Sequence, residues 1–333
     1  MLSSTLGISL FGLSTFLVSA TPLCPETIDV AGGGLPNSTL PSTVSESGIR
    51  EIQLAQFLEN LEVEFFTTGL TNITDWGTTG YSNNSVEIVG RIAAQEQVHR
   101  ESLSTLLGAY EAAIIPPCNY SFPVASTEDF FRLANLIGSA GIGATIGLSE
   151  RLALTDPMLA RLVASILTVE SRHAAFFRHV QGEVPNPTPF DTGSNDIWAY
   201  NIALSFIVPG SCPVEVPIPA LPKLNATQHE QANVWHANST TGTNSAMLQQ
   251  FSWDPTQTPF VVEEGKELLV GWVNQVNVPT YTPLSITSRG EGTSTVPQGM
   301  NGIAFAVITT QQYDNVNDLA FGTLAGPVVV RVS

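Results

Sequence analysis

Between residues 49 and 182 apolar positions recur at three- and four-residue steps in four long stretches, the spacing of one helix face. In the first, Ile52, Ala55, Glu59, Glu62 and Phe66 fall on one stripe flanked by Leu54, Leu58, Leu61 and Phe65, which predicts a long helix from residue 49 that Gly69 ends. A loop follows to residue 84, and Asn84 with Glu87 three residues on predicts a capped second helix to residue 113, beyond which Pro116 and Pro117 forbid continuation. The third helix starts near Ser126 or Thr127, with Glu128 and Asp129 suited to a helix N-terminal dipole, and runs towards Leu148 or Leu154. A fourth opens at Asp156-Pro157, a capping acid before a first-turn proline, and ends near Gly182. Four long helices with modest loops predict an antiparallel four-helix bundle.

After the bundle, residues 194–207 predict a shorter fifth helix, which extends the helical region over 49–212. The texture then changes. "PFVVEE", "KELLVGWVNQV", "GIAFAVITT" and "GPVVVRVS" are Val- and Ile-rich runs broken by Pro and Gly, so residues 213–333 read as a Pro-rich linker and a small β domain, with strands from about 225. The expected fold is mainly α with a C-terminal β domain. At the other end, residues 1–20 are apolar and finish in Val18-Ser19-Ala20, which predicts a secretory signal peptide cleaved after Ala20. A retained membrane anchor is the alternative; the run is short for a span and lacks a basic flank. Residues 21–48, rich in Gly, Pro and Ser, predict an extended arm, and no later segment reads as a membrane span.

With 43% hydrophobic residues the chain is not disordered, and 29 acids against 12 Lys and Arg, a net charge of -17, argue against nucleic acid or an anionic membrane as partner. Secretion would expose six glycosylation sequons, at Asn37, Asn72, Asn83, Asn119, Asn225 and Asn238. Three cysteines allow one disulfide, and Cys118 and Cys212, both in Pro-rich loops just outside helices, form the expected pair, leaving Cys24 free or bridging chains.

The candidate chemistry lies inside the helices. On the second, Glu96 and His99 continue the stripe of Ile88, Ile92, Leu103 and Leu106; on the fourth, Glu170 and His173 continue that of Leu159, Leu162, Ile166 and Phe177. Two acid and imidazole pairs would therefore face the bundle interior. Buried carboxylates cost several kcal/mol unless paired or bound to a cation, and carboxylate oxygen with imidazole nitrogen suits iron, manganese or zinc. Two Glu-x-x-His motifs, with a Glu from each of the other helices, are the donor pattern of two-metal carboxylate bundles. The metal-free alternative is an ion-pair network of Glu96 and Glu170 with His99, His173 or Arg172.

The runs "LENLEVEFF", "AAQEQVHRESL", "LANLIGSAGIGATIG", "SILTVESRHAAFFR" and "NPTPFDT" resemble the secreted ferritin-like proteins of fungi, of the stress-response or late-sexual-development type, and the plant desiccation-related proteins. The resemblance covers about 49–210, and the tail "LAGPVVVRV" looks like the β extension of the fungal branch. It implies a ferritin-like bundle with metal ligands at Glu59, Glu96, His99, Glu170 and His173. Where relatives carry a third-helix glutamate this chain has Gly138, so the implied site is incomplete unless Glu62 substitutes; Glu150 lies too far along the helix. A single-metal or vestigial site would follow.

Two functional readings result. One is a secreted protein that binds one or two ions, iron or manganese, in oxidative or desiccation stress. The other is a non-catalytic structural scaffold, with a cell wall as its partner class. Metal storage, which needs a closed shell of subunits, is not expected with a β tail and glycans, and paired acids alone give a peptidase or glycosidase reading third rank. The Gly141-x-Gly143 step reads as close helix packing rather than a nucleotide loop; His179, His229 and His236 read as surface or loop residues, and Trp235, Trp253 and Trp272 as core rather than sugar platforms.

Overall fold

The computed structural model describes residues 22–227, 247–257 and 267–332. The expected signal peptide, Asn238, His229, His236, Trp235 and the "PFVVEE" strand lie outside them. The helical half comprises α1 (Pro25–Ala31), α2 (Glu46–Trp76), α3 (Ser85–Ala109), α4 (Thr127–Thr155), α5 (Pro157–Val180) and α6 (Asp196–Leu204). Helices α2 to α5 form the bundle, with α2 against α3 and α4 against α5 as the closest pairs.

Several features depart from expectation for identifiable reasons. The arm over 21–48 is not extended throughout: α1 folds on a proline in its first turn, Gly32 closes it at φ 83°, and it packs on α3. Gly69 does not end the first long helix. A Cβ there would stand 2.0 Å from Phe130 Cε2, so the glycine is a point of close approach, and α2 runs on to Trp76. Asn84 makes no side-chain cap, and α3 stops at Ala109. Asp156 does not cap α5 either; its carboxylate accepts from the Ser45 backbone N–H at 2.8 Å and the Ser45 hydroxyl at 2.5 Å, tying the start of α2 to the α4–α5 turn. Ser126 does cap α4, accepting from the Asp129 N–H.

The bundle interior is layered. At one end Phe65, Phe66, Phe130, Phe131 and Phe177 interlock, with Phe65 and Phe130 stacked at 5.0 Å and Phe66 and Phe177 at 5.6 Å. At the other end Ile52, Leu103, Leu106, Leu107, Leu148, Leu152, Leu159 and Val163 form an aliphatic layer. Helix α4 has the length and apolarity of a membrane span, contrary to the expectation that no later segment does, and 61% of its apolar stretch is buried within the protein.

Beyond the bundle, β1 (Leu224–Ala226), β2 (Leu248–Trp253), β3 (Leu269–Asn274), β4 (Thr280–Pro283), β5 (Ser285–Ser288), β6 (Glu291–Thr295), β7 (Ile303–Thr309) and β8 (Ala325–Arg331) build two antiparallel sheets, ordered β1-β2-β6-β5 and β4-β3-β7-β8. A short helix, α7 (Val316–Phe321), lies between β7 and β8. The second sheet is covered on both faces. Along β7, Ala304, Ala306 and Ile308 join Phe251, Trp253 and Trp272 between the sheets, while Phe305 and Val307 join Ala140, Ile197 and Trp198 of the bundle. That double burial explains the unbroken apolar run. Trp253 and Trp272 are core residues. Gly143 and Gly147 on α4 let the 192–194 segment lie against the helix: a Cβ would stand 2.7 Å from Thr192 O and 1.9 Å from Ser194 O. Cys118 and Cys212 are bonded, Cys24 is exposed and free, and Asn37, Asn83, Asn119 and Asn225 are exposed while Asn72 is half-buried.

At Gly69 helix propensity and packing oppose each other. Alanine would gain about 1 kcal/mol as a helix former, but its methyl overlaps a Phe130 ring held by four other phenylalanines. Overpacking of this kind costs about 1–3 kcal/mol, so Gly69→Ala is expected to lower stability in denaturant unfolding. Unchanged or greater stability would show that the ring can yield.

Candidate metal centre

Between the phenylalanine and aliphatic layers the stripes of three helices turn polar. Helix α2 contributes Glu59 and Glu62, α3 Glu96 and His99, and α5 Glu170 and His173, all buried, with Glu96 wholly so. The i, i+3 spacing sets each pair on adjacent turns of one face. Glu64, two residues beyond Glu62, is exposed, and so are Glu150 and Arg172; the alternative ion pair to Arg172 is therefore not formed.

The two imidazoles and two of the carboxylates interlock. His99 Nδ1 stands 3.0 Å from Glu96 Oε2 and 3.1 Å from Glu170 Oε1, and His173 Nδ1 stands 2.9 Å from Glu96 Oε1 and 3.4 Å from Glu170 Oε2. Glu96 and Glu170 thus each present one oxygen to each ring. Glu59 Oε2 approaches His99 Nδ1 at 3.9 Å, and donor atoms of Glu59, Glu62 and Glu170 lie within 4.8 Å of one another.

Gly138, the position expected to lack a ligand, is buried, and a Cβ added there would meet nothing within 4 Å. One turn later the space above Gly141 is filled: a Cβ there would stand 2.7 Å from Glu62 Oε1. Glu62 reaches across from α2 into room that α4 leaves open. The cluster is therefore four carboxylates and two imidazoles, with α2 supplying two acids and α4 none. Glu62 thus lies one turn from the empty position at Gly138 and does not fill it.

With every carboxyl ionised and both rings neutral, protons would be too few for these groups. A neutral ring can turn at most one N–H towards the carboxylates. Glu59 Oε2, Glu96 Oε1, Glu170 Oε1 and His173 Nδ1 are buried and lack a well-directed hydrogen bond among the described residues, although Glu96 Oε1 and Glu170 Oε1 stand within ion-pair distance of the rings. Burial pushes the Glu59 and Glu62 carboxyls well above their ordinary range; the His99 imidazolium acts the other way, and neighbouring carboxylates reinforce the rise. Burial would lower His99, but hydrogen bonds to Glu170 and Glu96 outweigh it and raise the ring to about 12. His173 rises to about 10 because the charges of Glu96 and Glu170 outweigh its burial. Glu170 is held below its ordinary value: burial opposes this, but His173 and His99 outweigh it. Glu59, Glu62, His99 and His173 thus hold their protons more tightly than usual, while Glu170 stays ionised as the counter-charge to the rings.

A cation fits that demand. Ligands about 2.1 Å from one ion at right angles stand about 3 Å apart, which is the spacing between the ring nitrogens and the oxygens of Glu96 and Glu170. A narrow cleft of about 40 Å³ between α2, α4 and α5 reaches Glu59, Glu62 and Glu170 past Leu58, Ala144, Leu148 and Ile166. It also includes the Glu51–Arg151 ion pair, whose Nε donates at 2.7 Å. Glu51 is eight residues before Glu59, about 12 Å along the helix.

The comparisons with known proteins agree with this architecture. Residues 48–183 match the family model of a ferritin-like domain. Over 356 aligned positions the chain is 25% identical to Protein rds1 of Schizosaccharomyces pombe (strain 972 / ATCC 24843), covering 92% of this chain and 87% of that protein. The similarity therefore extends beyond the helical region into the β half.

If the room above Gly141 seats Glu62, then Gly141→Ala should separate stability from cation binding. The methyl would displace only the far end of a flexible side chain while gaining up to about 1 kcal/mol in helix propensity. Unfolding should show stability kept or raised, and titration with manganese(II) a weaker affinity. Unchanged affinity would remove Glu62 from the donor set.

Proposed function

We propose that this ferritin-like chain is a secreted protein that holds two transition-metal ions, iron or manganese, in its bundle core and acts in redox protection outside the cell. The observation that carries the reading is the double bridge, in which Glu96 and Glu170 each face both His99 and His173. Glu96 and Glu170 would be shared between the ions. Glu59, beside His99, and Glu62, beside Glu59 and Glu170, would complete the donor set, all oxygen and imidazole nitrogen as these metals require. Bound there, such ions supply electron transfer to dioxygen or peroxide.

The protein's own contribution is positioning and exclusion of water. Leucine, alanine and isoleucine side chains wall the cleft that reaches the carboxylates, so small neutral molecules approach more readily than hydrated ions. Secretion is supported by the apolar first 20 residues, the sequons and the Cys118–Cys212 disulfide, which persists in an oxidising compartment. A role in oxidative or desiccation stress rests on the resemblance of the sequence motifs alone. The second reading, a glycosylated scaffold associated with a cell wall, is favoured by one observation: protonated His99 and His173 could neutralise two of the four acids without a metal.

Elemental analysis separates the two. The natively secreted protein, purified without chelator or metal-affinity resin, is expected to carry near-stoichiometric iron or manganese. The Glu170→Ala/His173→Ala variant is expected to carry none while keeping its helical circular dichroism. Absence of metal from both proteins, even after anaerobic loading with iron(II), would overturn the metal reading and leave the scaffold.

A further inference from the structure

The nitrogen of His173 that faces away from the cluster has a partner of its own. Its Nε2 lies 2.7 Å from Gln95 Oε1, and Gln95 Nε2 donates at 3.2 Å to the carbonyl of Ala31, the last residue of α1. That carbonyl is among those a helix end leaves without an internal partner, and the Gly32 N–H that follows bonds to Ile28 and Asp29 instead. A carbonyl only accepts, so the amide NH2 of Gln95 must face Ala31 and its oxygen must face the ring. An amide oxygen likewise only accepts, so His173 Nε2 carries a hydrogen. In the neutral ring Nδ1 is then bare, its lone pair directed at the cluster, where Nδ1 lacks a well-directed hydrogen bond.

We propose that Gln95 is a positioning residue that sets the tautomer and orientation of His173 and makes the N-terminal helix α1 part of the metal centre. The inference rests on the metal reading above and deepens it. Gln95 touches no donor position itself; it acts through the imidazole. Partners of this kind hold a ligating ring in register and make it a stronger donor, and their loss weakens metal affinity by about 10- to 100-fold. Through Gln95 the seating of α1 on α3 bears on how well the centre is formed.

Two variants of the full-length protein test this. Gln95→Leu removes both hydrogen bonds, whereas Gln95→Glu keeps an oxygen for the His173 N–H, loses the donor to Ala31 and adds a negative charge beside the ring. Titration with manganese(II) should show affinity reduced about 10- to 100-fold in Gln95→Leu and held within a few-fold in Gln95→Glu. In the zinc-loaded protein, the 15N shifts of His173 should report a protonated Nε2. Equal affinity in all three proteins would overturn the inference. So would equal losses in both variants that follow a lowered melting temperature, which would make Gln95 a packing contact. If the parent protein binds no metal, the metal reading fails separately and the 15N shifts of the metal-free ring, recorded at a pH high enough to make it neutral, decide the inference. A protonated Nε2 that Gln95→Leu perturbs supports it, and a bare Nε2 overturns it.

Discussion

Four carboxylates share the middle of this bundle with two imidazoles, and the rest of the helical half is arranged around that concentration of charge. Removing one such group from water costs several kcal/mol unless it is neutralised. Here the acids stand close enough to disfavour one another's ionisation. Apolar layers on either side make the penalty tolerable. The phenylalanines above and the leucines and isoleucine below lock α2, α3, α4 and α5 together without help from the polar layer. They also keep the local dielectric low, which strengthens attraction between the cluster and any positive charge.

The β half bears on the same problem from outside. Its second sheet is clamped between the first sheet and the bundle, and Phe305 and Val307 meet α4 and α6 through the same layer as Ala140 and Trp198. Helix α4 is therefore held by close backbone contact at Gly143 and Gly147, and the Ser194 N–H donates to Gly143 O at 2.9 Å. Glu183 just after α5 pairs with Arg331 at the end of β8 and with Arg178. A helix fixed in this way can keep open the room above Gly141, where a looser one would close over it. The contribution of α4 to the cluster is space rather than a ligand.

The bundle and the paired motifs were legible because a buried helix face repeats at 3.6 residues, and Glu96, His99, Glu170 and His173 fall on that repeat. The disulfide was legible because few cysteines leave few pairings. What could not be read depends on neighbours distant in sequence. Gly69 looks like a helix stop unless Phe130 is known to lie across it, and Asp156 looks like a cap unless Ser45 is known to reach it. Glu62 fell on the right stripe, but only the empty position at Gly141 gives it a place. Gln95 sits off the apolar stripe, one residue before Glu96, and carries no signal until α1 is seen docked on α3. Helix α7 is too short for a periodic signal.

The loss of an acid on α4 bears on whether the centre is vestigial. A degenerate site should relax towards apolar or singly paired groups, because each buried acid left over destabilises the fold. Instead the chain keeps four acids against two imidazoles. With both rings protonated, Glu96 and Glu170 are compensated, and Glu59 and Glu62, their carboxyls raised by burial, carry protons of their own. With Glu62 beside Glu59, the cluster has two acids on successive turns of α2 and none from α4. A shift or rotation of α2 would move Glu59 and Glu62 together, whereas separate helices would allow them to adjust independently. Such an arrangement ties one side of the cluster to the packing of a single helix, and the phenylalanine layer holds α2 through stacked and edge-on ring contacts of Phe65 and Phe66. Retained acids on a rigid support suit a cation, and the protons that Glu59 and Glu62 keep are what such a cation would displace.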